Sequence, residues 1–290
     1  MTTAPRWAVE GADWPNRAHS RFVDAGRMRW HVQLIGEGPV LLLLHGTGAA
    51  THSWRALAPL LAGQFTVVAP DLPGHGFTSG RPVGGLSMTA MARAIGDLLW
   101  ALEIAPRVIV GHSAGAAIAI RMTLDELASP QAIVGLDAAL LPFPGLGARL
   151  FPSLARLLFL NPFAPHFFAR LARTPGETAR FLRRSTGSRI EDEAVIFYER
   201  LFATSGHCAG AITMMADWDL DALKVDLPRL ETPLLLIHGD ADAAIPLSNA
   251  RDAVALVGKG RLVPLAGLGH LAHEERPGDV AAIIQDFAGE

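Results

Sequence analysis

The sequence predicts an α/β protein: a mostly parallel central sheet with helices on both faces and a helical cap inserted after the sixth strand. Short continuous apolar runs recur along the chain, as expected of strands buried on both faces. Helix-period segments lie between these runs, and that alternation implies a parallel sheet covered on both sides. The alternation stops between about Leu140 and Leu230, where no buried-strand run occurs.

Taken in order, "RFVDA" and "RMRWHVQL" flank Gly26 and read as a hairpin over Arg21–Leu34. "PVLLLLHG" (Pro39–Gly46), "FTVVAPD" (Phe65–Asp71), "RVIVGH" (Arg107–His112), "AIVGLD" (Ala132–Asp137) and "PLLLIHG" (Pro233–Gly239) are the buried strands. "GRLVPLAG" (Gly260–Gly267) is the last of the series. In Met91–Leu102 the apolar residues Met91, Ile95, Leu98 and Leu102 step by four, three and four, which places them on one helix face. The long gap reads as short helices punctuated by Pro152, Pro162 and Pro165. Residues 1–139 and 231–290 thus form two parts of one core, with residues 140–230 as the cap.

Composition narrows the function classes. Half of the 290 residues are hydrophobic and 18% are charged, so the chain is ordered and globular. A net charge of −3 argues against a general nucleic-acid binder. Cys208 is the single cysteine, so no internal disulfide can form, and it reads as a buried thiol. No signal-type apolar region opens the sequence, and no apolar run approaches the roughly 18–20 residues of a spanning helix. The expectation is a cytoplasmic protein, with peripheral membrane attachment left open.

The chemistry centres on "VGHSAG" (Val110–Gly115). It joins the strand "RVIV" to the helix-like "SAGAAIAIRMTL", and puts Ser113 between two glycines at the sharp turn. This is the G-x-S-x-G nucleophile elbow, which exposes a serine hydroxyl at the carboxyl edge of the sheet. It also aims the Ala114 N–H at a developing oxyanion, at the positive end of a helix. Serine needs a base, and the base needs an orienting acid, in the chain order Ser, acid, His. "HGDADAAIP" offers Asp240 and Asp242 at a strand end, and "GLGHLAHEERP" offers His270 and His273. Asp242 and His270 are the assignment, with Asp137 as a rival acid and Asp240 as a brace for its own loop. His273, beside Glu274 and Glu275, reads as a helix-entry residue. The second oxyanion donor is expected from "HGTGAATHSW", at the Thr47 backbone N–H with Gly48 as the neighbouring choice. His45 and His75 read as structural, and His112 as a brace for the elbow rather than the base.

Together "LLLLHGTG", "APDLPGHGFTS", "VGHSAG", "IHGDADAAIP" and "GHLAHEERP" resemble the α/β-hydrolase superfamily, in its order and over the chain outside the cap. The resemblance implies the α/β-hydrolase fold. A serine at position 113, where an aspartate would stand, disfavours dehalogenase and epoxide hydrolase chemistry. "GADWPNRAHSRFVDAGRMRWHVQ", "HGTGAATHSW", "LFLNPFAPHFF" and "MMADWDLD" are similar to the magnesium chelatase accessory proteins of bacteriochlorophyll synthesis, nearly end to end. That resemblance implies a role around magnesium insertion into protoporphyrin, and contact with magnesium chelatase subunits, without fixing a substrate. Two functional classes follow. One is a serine esterase acting on a small or tetrapyrrole-borne ester, needing no metal or organic cofactor. The other is a non-catalytic protein that binds and delivers a tetrapyrrole.

Ala139–Ile190 carries eight arginines and one acid, Glu177, a net +7 in a chain that totals −3. Phe143, Phe151, Phe159, Phe163, Phe167 and Phe168 are interleaved with them. Such a segment can pack its apolar face on the core with its arginines solvated. It also suits an anionic membrane surface or a flat apolar ligand bearing carboxylates.

Overall fold

The computed structural model describes residues 3–142 and 161–289. Eight principal strands form one sheet: β1 (Ser20–Ala25), β2 (Met28–Ile35), β3 (Val40–Leu44), β4 (Thr66–Pro70), β5 (Val108–His112), β6 (Ala132–Leu136), β7 (Leu234–Gly239) and β8 (Gly260–Leu265). Their spatial order is β1-β2-β4-β3-β5-β6-β7-β8. β1 and β2 form the antiparallel hairpin, and β2 runs antiparallel to β4. From β4 to β8 every pairing is parallel. A two-residue strand, Ser79–Gly80, also pairs with β2.

The apolar runs are continuous because both sheet faces are covered. Leu42 and Leu44 pack into one core layer, while Leu41 and Leu43 pack into the other. Ile109 and Ile133 follow the first pair, and Val110 and Val134 the second. This is the two-residue strand period with an apolar side chain required on each side. All four leucines are fully buried, and each contributes about 1.5–3 kcal/mol. α2 (Met88–Ala101), α3 (Ala114–Leu124) and α9 (Leu247–Ala255) lie over the first face. α1 (Leu57–Leu61) and α11 (Pro277–Gly289) lie over the second. Met91, Ile95 and Leu98 of α2 are the buried stripe that the four-three-four spacing implied. β8 is shorter than its apolar run and only half-buried, because it is the last strand of the sheet.

Between β6 and β7 the described residues contain helices and no strand: α4 (Ala164–Leu171), α5 (Glu177–Thr186), α6 (Asp192–Phe202), α7 (Ser205–Ala216) and α8 (Leu220–Asp226). α7 is anchored by buried His207, whose Nε2–H donates to Gly48 O at 3.0 Å while Nδ1 accepts from Gly76 N at 3.1 Å. Burial holds this imidazole at about 4, so it is neutral and can both donate and accept. α8 is tied to α3 by Arg121, which bonds Asp226 at 2.7 Å. Phe163 and Phe167 are 74% and 63% exposed, and Phe168 beside them and Phe181 on α5 are exposed as well. Phe143, Phe151, Phe159, Arg149 and Arg156 lie outside the described residues. No described helix is long and apolar enough to cross a membrane.

The parallel strands end at one edge, and each end leads into a loop singled out above. β3 runs to Thr47, β5 to Ser113, β6 to Asp137, β7 to Asp242 and β8 to His270. Loops at the carboxyl ends of such strands are where open α/β sheets place ligands.

Candidate active site

Ser113 stands between β5 and the first residue of α3 with φ 51° and ψ −115°, a conformation that non-glycine residues rarely adopt. Such a residue costs about 1–3 kcal/mol and persists only where its surroundings fix it. Here Ser113 N–H donates to Leu136 O at 2.9 Å, and Ser113 O accepts from Ala116 N and Ala139 N, both at 3.2 Å. The flanking glycines are needed for space. A Cβ at Gly111 would collide with the Ala116 backbone, and one at Gly115 with the Leu44 carbonyl. The turn can therefore be this sharp only with glycine on both sides.

The structure brings Asp242 and His270 together, with His270 Nδ1 at 2.8 Å from Asp242 Oδ2. An ionised carboxylate only accepts, so Nδ1 carries the proton and Nε2 is left as a lone pair. The other oxygen, Asp242 Oδ1, accepts from Ala244 N at 2.7 Å and Ile245 N at 2.9 Å, which fixes the carboxylate plane. His270 is joined to the elbow through its backbone: its carbonyl accepts from His112 Nε2–H at 2.8 Å. His112 is the residue before Ser113, and its ring lies against that of His270, with centroids 4.8 Å apart. Burial, reinforced by His273 and His270, pushes His112 well below the usual imidazole range, so it is a neutral brace. Ser113 Oγ makes no hydrogen bond to another described residue. Hydrogen bonds between nucleophile and base commonly tighten only when substrate is seated.

Ala114 opens α3, so its N–H lacks an intrahelical acceptor. The Thr47 side chain turns to Met214 Sδ at 3.4 Å, and neither the Thr47 nor the Ala114 amide donates to another described residue. Both amides lie just beyond the carboxyl ends of neighbouring parallel strands, Thr47 three residues after β3 and Ala114 two residues after β5.

The rival residues are otherwise engaged. Asp137 Oδ1 accepts from Gly239 N at 2.7 Å, and burial raises its carboxyl well above the usual range. Asp240 Oδ1 accepts from Gly267 N at 2.7 Å and braces the loop after β8. His273 is the second residue of a short helix, α10 (Ala272–Glu275), and its Nε2 lies 2.9 Å from Ser53 Oγ. His45 spans Gly46 O and Leu72 N, and His75 Nδ1 bonds Pro73 O. Asp137, His238 and Asp242 gather ligand-type atoms within 4.8 Å. Both Asp242 oxygens already serve hydrogen bonds, while Asp137 Oδ2 and His238 Nδ1 are buried without a hydrogen-bond partner.

Sequence reasoning missed a buried network beside the site. Glu274 Oε1 accepts from Ser53 Oγ at 2.7 Å and from Tyr198 Oη at 2.6 Å, and Oε2 pairs with Arg55. Burial and the adjoining carboxylate raise the Tyr198 phenol, so it remains a donor. Glu274, the acid after His273, was the only local signal, and its partners lie 76, 219 and 221 residues away.

Residues 41–283 match the model of the alpha/beta hydrolase family, and the chain belongs to that family. Within it, the chain is 36% identical over 278 residues to the magnesium-chelatase 30 kDa subunit of Rhodobacter capsulatus, covering 95% of this chain and 96% of that one. It is also 29% identical over 263 residues to the pimeloyl-[acyl-carrier protein] methyl ester esterase of Aromatoleum aromaticum, covering 86% and 97%. Among solved structures, an esterase from Exiguobacterium antarcticum superposes with a TM-score of 0.76 at 17% identity, over 93% of this chain and 99% of that one. The expected fold and the resemblance to the chelatase accessory proteins both hold.

Proposed function

We propose that the chain is a serine hydrolase of a carboxylic ester that works alongside magnesium insertion in bacteriochlorophyll synthesis. The observation that carries this reading is the Asp242–His270 pair held against a strained Ser113 elbow. In the proposed reaction His270 Nε2 takes the Ser113 hydroxyl proton as Oγ attacks the ester carbonyl. The Ala114 and Thr47 N–H groups receive the oxyanion. His270 then gives its proton to the departing alcohol, leaving an acyl-serine. Water, deprotonated by the same imidazole, attacks the acyl carbonyl, and the imidazolium returns that proton to Ser113 Oγ as the acyl–oxygen bond breaks, freeing the acid. The pathway assignment rests on similarity to the chelatase subunit, and the ester chemistry on the site.

The exposed Phe163, Phe167 and Phe168, with Arg170 and Arg173 nearby in sequence, favour a second reading. An apolar surface carrying guanidinium groups suits a flat ligand with carboxylates, or anionic lipid head groups. On that reading the chain presents a tetrapyrrole to chelatase subunits without chemistry. Complementation separates the two. In a bacteriochlorophyll-producing strain deleted for this gene, Ser113→Ala is expected to leave pigment unrestored at parental protein level. Full pigment from Ser113→Ala favours delivery.

A further inference from the structure

The acid and the base sit on separate core loops, yet both are held by one short segment between α5 and α6. Thr186 O, at the carboxyl end of α5, accepts from His270 N at 2.8 Å and from Ala243 N, the residue after Asp242, at 3.3 Å. Ser188 Oγ accepts from Leu271 N at 2.8 Å, so the residue after the base is held as well. The segment is itself fixed, since Thr186 Oγ1 donates to Leu182 O at 2.6 Å and accepts from Ser188 N at 3.1 Å. Glu275 closes the far side, accepting from Gly269 N at 2.8 Å and Arg189 N at 3.1 Å. Thr186 and Ser188 are buried.

Close packing adds to these bonds. Gly187 has φ +72°, and a Cβ there would strike the Ala241 carbonyl, one residue before Asp242. A Cβ at Gly269, one residue before His270, would lie 2.5 Å from both Ser188 N and Ser188 Oγ. The segment is thus wedged between the two loops with no room for a side chain at either contact.

We propose that Thr186–Ser188 is a positioning clamp: it sets the Asp242–His270 bond from the cap, so the pair is aligned only while α5 is seated. This rests on the serine hydrolase reading for its catalytic consequence. Its structural consequence, the alignment of the pair, can be measured independently of catalysis. α5 also carries Arg180, Arg183 and Arg184 on its exposed side. A ligand that moved this helix would therefore displace the base through the Thr186 carbonyl and the Ser188 hydroxyl.

The test compares Ser188→Ala and Gly187→Ala with Ser185→Ala. Ser185 Oγ bonds only within its own helix, to Phe181 O and Leu182 O, and touches neither loop. Three quantities are read: kcat and KM on p-nitrophenyl acetate, the pH profile of kcat/KM, and the low-field proton NMR signal of the His270 Nδ1–H bonded to Asp242. Displacing a catalytic group by a fraction of an ångström to an ångström costs up to about a hundredfold. Ser188→Ala is expected to lower kcat about tenfold with KM near parental, to shift the pH profile, and to broaden the low-field signal. Gly187→Ala is expected to do more, and Ser185→Ala to leave all three unchanged. If Gly187→Ala fails to fold, Ser188→Ala alone decides. Parental kcat, pH profile and low-field signal in Ser188→Ala overturn the clamp. If the parent itself shows no Ser113-dependent turnover, the hydrolase reading fails, and the low-field signal still decides whether the segment aligns the pair.

Discussion

Asp242→Asn is expected to lower kcat on p-nitrophenyl acetate about 10⁴-fold. The amide keeps the shape of the carboxylate, and its oxygen can still accept from Ala244 and Ile245. What it loses is the second acceptor. Its NH₂ would face His270 Nδ1, which turns the imidazole to the tautomer whose Nε2 bears the proton. A base in that form cannot take the Ser113 proton, and no acid remains to stabilise the imidazolium. Asp137→Asn and Asp240→Asn are expected within a few-fold of the parent. Asp137 is buried, which raises its carboxyl well above the usual range, and its Oδ1 accepts from Gly239 N, which an amide oxygen does equally well. Asp240 serves Gly267 N. A crippled Asp137→Asn beside a near-normal Asp242→Asn would show that the acid has been assigned to the wrong strand end.

Glu274→Ala is expected to cost about 3–5 kcal/mol in urea unfolding, the range for removing one partner of a buried ion pair. The side chain is fully buried, and its loss leaves Arg55, Tyr198 Oη and Ser53 Oγ without their shared acceptor. Tyr198 belongs to α6, so the same substitution loosens the cap from the core. Glu274→Gln should cost less, since its carbonyl oxygen can keep one or two of the three donors. An unfolding free energy within about 1 kcal/mol of the parent for Glu274→Ala would mean that this network does not seat the cap.

The core and the catalytic loops were legible because their signals are local. Leu41–Leu44 are all apolar since alternate residues serve opposite layers, and that requirement is written in four consecutive positions. Gly111 and Gly115 flank Ser113 because the Ala116 and Leu44 backbones pass too close for a Cβ, so the motif is itself a record of packing. Both acids of "HGDADAAIP" lie at the same strand end, and the structure separates them: Asp242 pairs with His270, while Asp240 braces Gly267 N. Other features had no local signature. Tyr198 and Glu274 lie in amphipathic stretches where each passes for a surface residue, and only the tertiary fold buries them together. Ser188 follows a helix-ending glycine, so it reads as part of an ordinary cap until Gly269 is found against it. Interactions of this kind depend on which loops meet, a property of the whole sheet edge rather than of any one window of sequence.

The central claim is that Ser113 is a covalent nucleophile activated by His270. It is tested most directly by incubating the folded chain with a fluorophosphonate probe and mapping the adduct by mass spectrometry. The account predicts one stoichiometric adduct on Ser113, abolished in Ser113→Ala and slowed by orders of magnitude in His270→Ala. No adduct on well-folded protein, or an adduct on another residue, would contradict it.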